Sequence, residues 1–468
     1  MSSTLNNSSI AITTGKQTQT KIDLVVADLN YTQTILYAAA IGIIGGLVAT
    51  TYYYLLENLT HIVWHTFPEM LQFSGDFLAS SFIIHNYAWI ATTIGGLLVG
   101  LSLYLMGLPG EVAFVVDRVH DPGSIEMKQT PAMIVASLLS IAAGGSAGPE
   151  APLVQVNGSI GGWLGSKLKL SLPTVRILTF CGMSAALGAF FGAPLGGALF
   201  ALELPHRRGL EYYEALIPAV LSAILSFTIF RLTTGLSIGG MYHFDSIPPL
   251  TLMNLFQGAI LGAIGAAVAL LFVLVFRLVG YLAAPLHHRT ILLAMLGGLS
   301  IGLIALIYPQ TLFFGEKQID IIIEQGAMFG IATLLMIGLA KMLAVSCTLH
   351  SGFRGGFIFP LFYIGSVVGC AIALGFPQIH PTVAMVCMMA AVNVAITKTP
   401  ISTTVILSVI ADTSMVPVII IASFTSFLLT TRVSLIDTQR SRSVPERELP
   451  SIPEYSANAC PSTITEPS

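Results

Sequence analysis

The stretch 148–161 reads GPEAPLVQVNGSIG, and 208 residues later 356–369 reads GFIFPLFYIGSVVG. Each opens on glycine, runs into Pro-Leu (Pro152-Leu153 and Pro360-Leu361), and returns to glycine nine residues beyond that proline, at Gly161 and Gly369. The parallel continues downstream. Pro194, in FFGAPLGG, lies 42 residues after Pro152, and Pro400, in TKTPISTT, lies 40 after Pro360. Just ahead stand Met183-Ser184-Ala185-Ala186 and Met388-Met389-Ala390-Ala391. Four matches in one order imply two structurally related halves.

Proline fits the first turn of a helix, where its missing N–H is not needed, and glycine just before it lets backbone approach a ligand closely. A helix that begins inside a bilayer leaves amide N–H groups unpaired, which is costly unless something accepts from them. Those amides, with the positive end of the helix dipole, attract an anion. Two such starts, one per half, can converge on one ion. Gly/Pro-interrupted apolar segments at matching places in duplicated halves are a pattern of transporters.

The solvent of this chain is lipid. Of its 468 residues 54% are hydrophobic and 9% charged, against about 25% charged in soluble domains, and the mean hydropathy is +0.83. Residues 177–202, 290–314 and 361–397 hold no Asp, Glu, Lys or Arg, each longer than the roughly 20 residues of a bilayer crossing. Residues 33 to 435 read this way almost throughout, enough for roughly 14 to 18 full or partial helical segments. The short alternating segments of a membrane β-barrel are absent. The net charge of −3 says nothing about nucleic acid, but no basic stripe is present to bind it, and none is expected as a partner. Cys181, Cys347, Cys370, Cys387 and Cys460 are scattered and read as small hydrophobes.

The polar N-terminal segment 1–32 lacks the apolar core of a cleavable signal. It and 443–468 are expected to be flexible tails around two membrane repeats, 33–230 and 231–442. Basic residues at His206-Arg207-Arg208 and at Arg432, Arg440, Arg442 and Arg447 put those ends, and both termini, in the cytoplasm.

Four segments carry a family resemblance. Gly148-Pro149-Glu150-Ala151-Pro152, continuing LVQVNGSIGG, is similar to G-[KR]-E-G-P followed by V-Q-x-G-x-x-G. Gly356-Phe357-Ile358-Phe359-Pro360 is similar to G-x-F-x-P. Residues 191–203, FGAPLGGALFALE, are similar to N-A-P-L-A-G-x-L-F-x-x-E, and Ser434-Leu435-Ile436-Asp437 to S-[IL]-Y-D. From about residue 35 to 442 the chain thus resembles the CLC family of chloride channels and chloride/proton antiporters, in a short prokaryotic form without CBS domains.

The resemblance implies an all-α integral membrane protein of two inverted-topology repeats with tilted and broken helices. It implies a homodimer with one anion pathway per subunit, an interface at Pro194–Pro205 and Pro400–Ala422, and a bacterial inner membrane. The function implied is transport of a small inorganic anion, chloride first, with no cofactor besides the bound ion and no enzymatic activity. Glu150 would be the gate: charged, it fills an anion position; protonated, it swings away. A carboxylate at an intramembrane helix start is in any case a functional candidate. The anion-binding set carried over is Gly107, Leu108, Gly148, Ala151, Phe357, Ile358 and Ile436.

Three departures stand out. Met106-Gly107-Leu108-Pro109-Gly110-Glu111 keeps the glycine and proline of the family's first motif and lacks its serine. Ile436 replaces the pore-facing tyrosine. Leu204 replaces the antiporters' inner proton-relay glutamate. Adjacent Glu203 either takes over that relay through water, giving an antiporter with a non-standard proton route, or is a helix-end carboxylate near Arg207 and Arg208. Arg354, two residues before Gly356, either attracts anions or pairs with an acidic group. Lys341 and Lys398 line a vestibule or pair between helices, and Asp412 reads as a helix-end or loop group. A different class of function rests on Gly144-Gly145-Ser146-Ala147-Gly148, which matches the G-x-S-x-G elbow of serine hydrolases, with Ser146 as nucleophile.

Overall fold

The computed structural model describes residues 7–73, 77–236, 242, 244 and 249–441, with side chains placed from 31 to 70 and, in the later segments, from 87 onward. Among these residues the chain is helical, and the one β-type pairing is an isolated bridge. The first half opens with α1 (Asn7–His61), α2 (Phe67–Phe73), α3 (Phe77–Met106) and α4 (Val112–His120). It continues through α5 (Thr130–Ala142), α6 (Glu150–Lys167), α7 (Leu172–Phe191), α8 (Pro194–Glu203) and α9 (Leu216–Thr234). The second half begins with α10 (Leu252–Ala283), α11 (Thr290–Ile307) and α12 (Glu316–His350), the last kinked at Gly330. It ends with α13 (Ile358–Gly375), α14 (Pro381–Thr397), α15 (Pro400–Ile410) and α16 (Val416–Thr430). Among the described residues nine spans are long and apolar enough to cross a membrane. The expected tail 443–468 and Cys460 lie outside the described residues, as do residues 1–6; from Asn7 the N-terminal segment is continuous with α1.

The repeat read from the sequence is a repeat of packing. In the first half α6 packs on α7, α7 on α8 and α9, and α1 on α7 and α9. In the second, α13 packs on α14, α14 on α15 and α16, and α10 on α14 and α16. Small residues set the crossings, as expected where helices pack without a hydrophobic driving force. A Cβ on Gly161 of α6 would overlap the Leu178 carbonyl of α7; one on Gly369 of α13 would lie 2.6 Å from Met385 Cα of α14. Hydroxyls repeat too. Ser226 Oγ donates to Ala185 O at 2.8 Å, from α9 to α7, and Ser426 Oγ donates to Ala391 O at 2.7 Å, from α16 to α14. Gly161→Ala and Gly369→Ala are each expected to destabilise by about 1–3 kcal/mol through overpacking. Lower melting temperatures of the detergent-solubilised variants check this; unchanged melting contradicts the close crossing.

The halves meet where α3 lies on α11 and α8 on α15. Gly148 N donates to Gly356 O at 2.8 Å, and Gly356 N donates back to Gly148 O at 2.6 Å. Such reciprocity between equivalent residues is what a two-fold relation of like parts produces.

The isolated lysines hold structure together rather than lining a vestibule. Lys341 Nζ donates to Thr311 O (3.0 Å) and Phe313 O (2.6 Å), tying α12 to the turn that precedes it. Lys398, left-handed at φ 62°, closes α14, and its Nζ donates to Ala395 O, Thr430 O and Thr430 Oγ1. Three acceptors match the three donors of an ammonium. Asp412 stands in the turn before α16, where its carboxylate accepts from Ser414 N at 2.7 Å. Hydrogen bonds from the Ser414 hydroxyl and backbone hold its pKa below the usual carboxylate range.

Candidate functional site

Two broken helices start at the Gly148–Gly356 pairing. In α6, Glu150 follows Pro149 and Pro152 occupies the first turn; in α13, Ile358 is first and Pro360 sits in the first turn. The pairing turns both amino ends toward each other. Glu150, 1% exposed, extends its carboxylate across this junction, where Oε1 accepts from Ile358 N at 2.9 Å. Oε2 is buried without a partner. The acid of one half therefore occupies the helix start of the other, where an anion is favoured by free amides and dipole together. Gly148 and Gly356 flank the carboxyl group so tightly that a Cβ on either would collide with it.

On the Ala151 side of this junction lies a cavity of about 150 Å³, lined by Gly110, Glu111 and Val112 together with Ala151, Gln155, Arg354, Phe357 and Ile436. It brings a third helix start, that of α4, to the other two. Two residues of the expected anion-binding set stand apart from it. Gly107 is left-handed (φ +89°) and closes α3, and Leu108 is exposed. Neither lines the cavity. The chain runs on through Pro109 before α4 begins at Val112, so the backbone that reaches the cavity is Gly110–Ala113. Ile436 is buried on its wall, and Ser434 Oγ donates to Ile436 O at 2.8 Å.

On the Pro149 side is a cavity of about 280 Å³, bordered by Tyr52, Glu57, Trp64, Phe190, Phe314 and Glu316. An aromatic cluster packs beside it: the Phe359 ring lies 5.3 Å from Phe190, 5.5 Å from Phe191 and 5.8 Å from Phe314. The sequence reading passed over this cluster, although the doubled phenylalanines at 190–191 and 313–314 were its signal.

A third void, of about 30 Å³, joins Glu150 to Leu204 past Val154, Met183, Leu187 and Phe200. Glu203 is buried and faces elsewhere. Its Oε1 accepts from Ile401 N (3.2 Å), and its Oε2 accepts from Ser402 N (2.8 Å) and Ser402 Oγ (2.6 Å). It caps the start of α15, so its helix-end partner is that helix rather than Arg207 or Arg208. Ser402→Ala is expected to cost about 1.5–3 kcal/mol, the range for a hydrogen bond to a carboxylate. A melting curve checks it; no loss of stability contradicts the capping role.

Arg354 is 6% exposed, and its Nη1 lies 2.6 Å from Glu111 Oε1. Ser146 is buried with its hydroxyl unpartnered. Among the described residues no histidine is hydrogen-bonded to it, so the base that the G-x-S-x-G reading requires is not paired with this hydroxyl. Cys181, Cys347, Cys370 and Cys387 are free thiols.

The family profile described as voltage gated chloride channel matches residues 95–431. The chain belongs to the CLC family. Among its CLC relatives, the chloride/fluoride channel protein of Pseudomonas syringae pv. tomato is 28% identical over 359 residues, 74% of this chain and 77% of that one. The putative ion-transport protein YfeO of Escherichia coli O9:H4 is 26% identical over 426 residues, covering 88% and 96%. Two solved structures share the fold. A slow cyanobacterial Cl−/H+ antiporter superposes with TM-score 0.72 at 23% identity, over 85% of this chain and 95% of that one. A CLC-type fluoride/proton antiporter does so with TM-score 0.66 at 22% identity, over 87% and 98%.

Proposed function

We propose that this CLC protein passes chloride through the junction of α4, α6 and α13, and that the Glu150 carboxylate opens and closes that path. The observation that carries the reading is the hydrogen bond from Ile358 N to Glu150 Oε1. A carboxylate and a halide compete for the same amide, so a charged Glu150 excludes the ion and a protonated one releases the position. Flux should therefore rise as pH falls. The name of the Pseudomonas relative brings fluoride into the same tests.

We infer passive transport. The void between Glu150 and Leu204 is walled by apolar side chains, Thr397 excepted, and Glu203 is engaged at α15. In liposomes an outward chloride gradient should drive chloride release without moving protons against their own gradient. Alkalinisation or acidification strictly coupled to chloride would overturn this and restore the antiporter reading.

We further propose a homodimer in a bacterial inner membrane with both termini cytoplasmic. Leu195, Ile401, Val409 and Phe424 leave an exposed apolar face on α8, α15 and α16, which supports self-association there. Arg440 N donates to Pro205 O, bringing Arg440 beside the His206-Arg207-Arg208 segment, which supports a shared cytoplasmic side.

A further inference from the structure

The cavity on the Pro149 side has a volume of about 280 Å³, close to the lower bound of roughly 300 Å³ for small-molecule pockets. Aromatic side chains from three stretches wall it. They are Tyr52 and Tyr53 of α1, Trp64 of the π-helical turn Ile62–Thr66 that continues α1, Phe190 of α7, and Phe313 and Phe314 ahead of α12. Such π-helical turns are rare and occur mostly at functional sites. Two of the rings are fixed by their polar ends. Trp64 Nε1 donates to Ala142 O at 2.8 Å, and Tyr52 Oη donates to Ser137 Oγ at 2.9 Å. The walls are thus in place before a ligand arrives, which lowers the cost of binding one.

The charged side chains of this cavity are Glu57, Glu316 and Lys317. Lys317 Nζ lies 3.4 Å from Glu57 Oε1, with the side chains 80% and 47% exposed. That pair marks a mouth open to water, and its charges cancel. Glu316 is left over. It is half-buried at the start of α12, and among the described residues no hydrogen bond or ion pair engages its carboxylate. The further charges that act on it, Asp320 and Arg231, are opposite in sign to each other. One net negative charge therefore stands among aromatic rings, whose faces are themselves negative. Charge and rings both attract a cation.

We propose that this cavity binds a small alkylated ammonium ion taken from water, with Glu316 as its counter-charge and Trp64 as its principal ring. Aromatic walls around a negative group are how quaternary ammonium ions are recognised. The carboxylate answers the charge, and the rings replace water around the N-alkyl groups. A metal ion suits the cavity less well. It offers the rings no apolar surface, and among the described residues no group of three His, Cys, Asp or Glu side chains is placed to hold one. The site does not depend on what the helix junction carries.

The test is calorimetric titration of choline into the purified full-length protein in maltoside detergent, at constant chloride and ionic strength. Choline should bind, and dimethylbutanol, its uncharged isostere, should not. Glu316→Gln should weaken choline binding roughly tenfold, through loss of a close opposite charge in a half-buried site. Trp64→Leu should weaken it to a similar degree, with Trp64→Phe, which keeps a ring, falling between. Lys317→Gln, at an exposed position, should tighten binding about threefold, because it frees the Glu57 carboxylate from a surface ion pair. A gain of that kind does not arise from damage to the fold. No choline binding by the wild type overturns the proposal, as does equal binding of the uncharged isostere. An affinity that neither Glu316→Gln nor Lys317→Gln changes overturns it too.

Discussion

Glu150→Gln is expected to conduct chloride at every pH from 5 to 8 as fast as the wild type does only at the acid end. The wild-type carboxylate is an acceptor for Ile358 N inside the junction, and a hydrogen bond to a charged group contributes about 1.5–3 kcal/mol. A chloride ion must replace that contact. The neutral amide competes far less well for a donor at a positive helix end, so the apparent chloride affinity should rise roughly tenfold to a hundredfold, the equivalent of that range. The sign of the pH effect follows. Wild-type occupancy by the ion is low where Glu150 is charged and grows as protonation removes the competitor, so flux increases as pH falls. Glu150→Gln has no group to titrate there, and its pH–flux curve should be flat. A variant that kept the wild-type slope would place the gate elsewhere.

Gly356→Ala is expected to produce a similar opening without touching the acid. A Cβ at Gly356 would fall on the Glu150 carboxyl group, and the backbone there is fixed by its reciprocal bonds to Gly148. Two adjustments are available. The carboxylate can leave the Ile358 amide, which frees the anion position, or the Gly148–Gly356 pairing can stretch. The first is easier, since a side-chain rotation costs less than breaking two buried backbone hydrogen bonds. Chloride flux at pH 7.5 should then rise about tenfold over wild type, with a shallower pH dependence. Loss of flux with a melting temperature several degrees lower would show that the backbone yields instead.

The central junction was legible because broken helices in lipid need glycine and proline at fixed places. The matching blocks at 148 and 356 meet in space as a mutual pair of hydrogen bonds, and Gly161 and Gly369 mark equivalent crossings. What stayed hidden depends on the path of loops and on long-range pairing. The start of α4 lies beyond Gly107-Leu108 because Gly107 closes the preceding helix first. Glu111 and Arg354 are 243 residues apart, and no periodicity ties them. Glu203 was read against the arginines nearest in sequence, yet its donors lie 198 and 199 residues away at α15. Gln155 sat inside a quoted motif with no sign that its amide would be buried and unpaired.

The most direct test of the account is chloride release from liposomes holding the purified protein, with the membrane potential clamped and external chloride read by electrode at pH 5, 6.5 and 8. The account predicts release well above empty liposomes, fastest at pH 5 in the wild type and independent of pH in Glu150→Gln. Release no faster than from empty liposomes at any pH, for chloride and for fluoride alike, would contradict it.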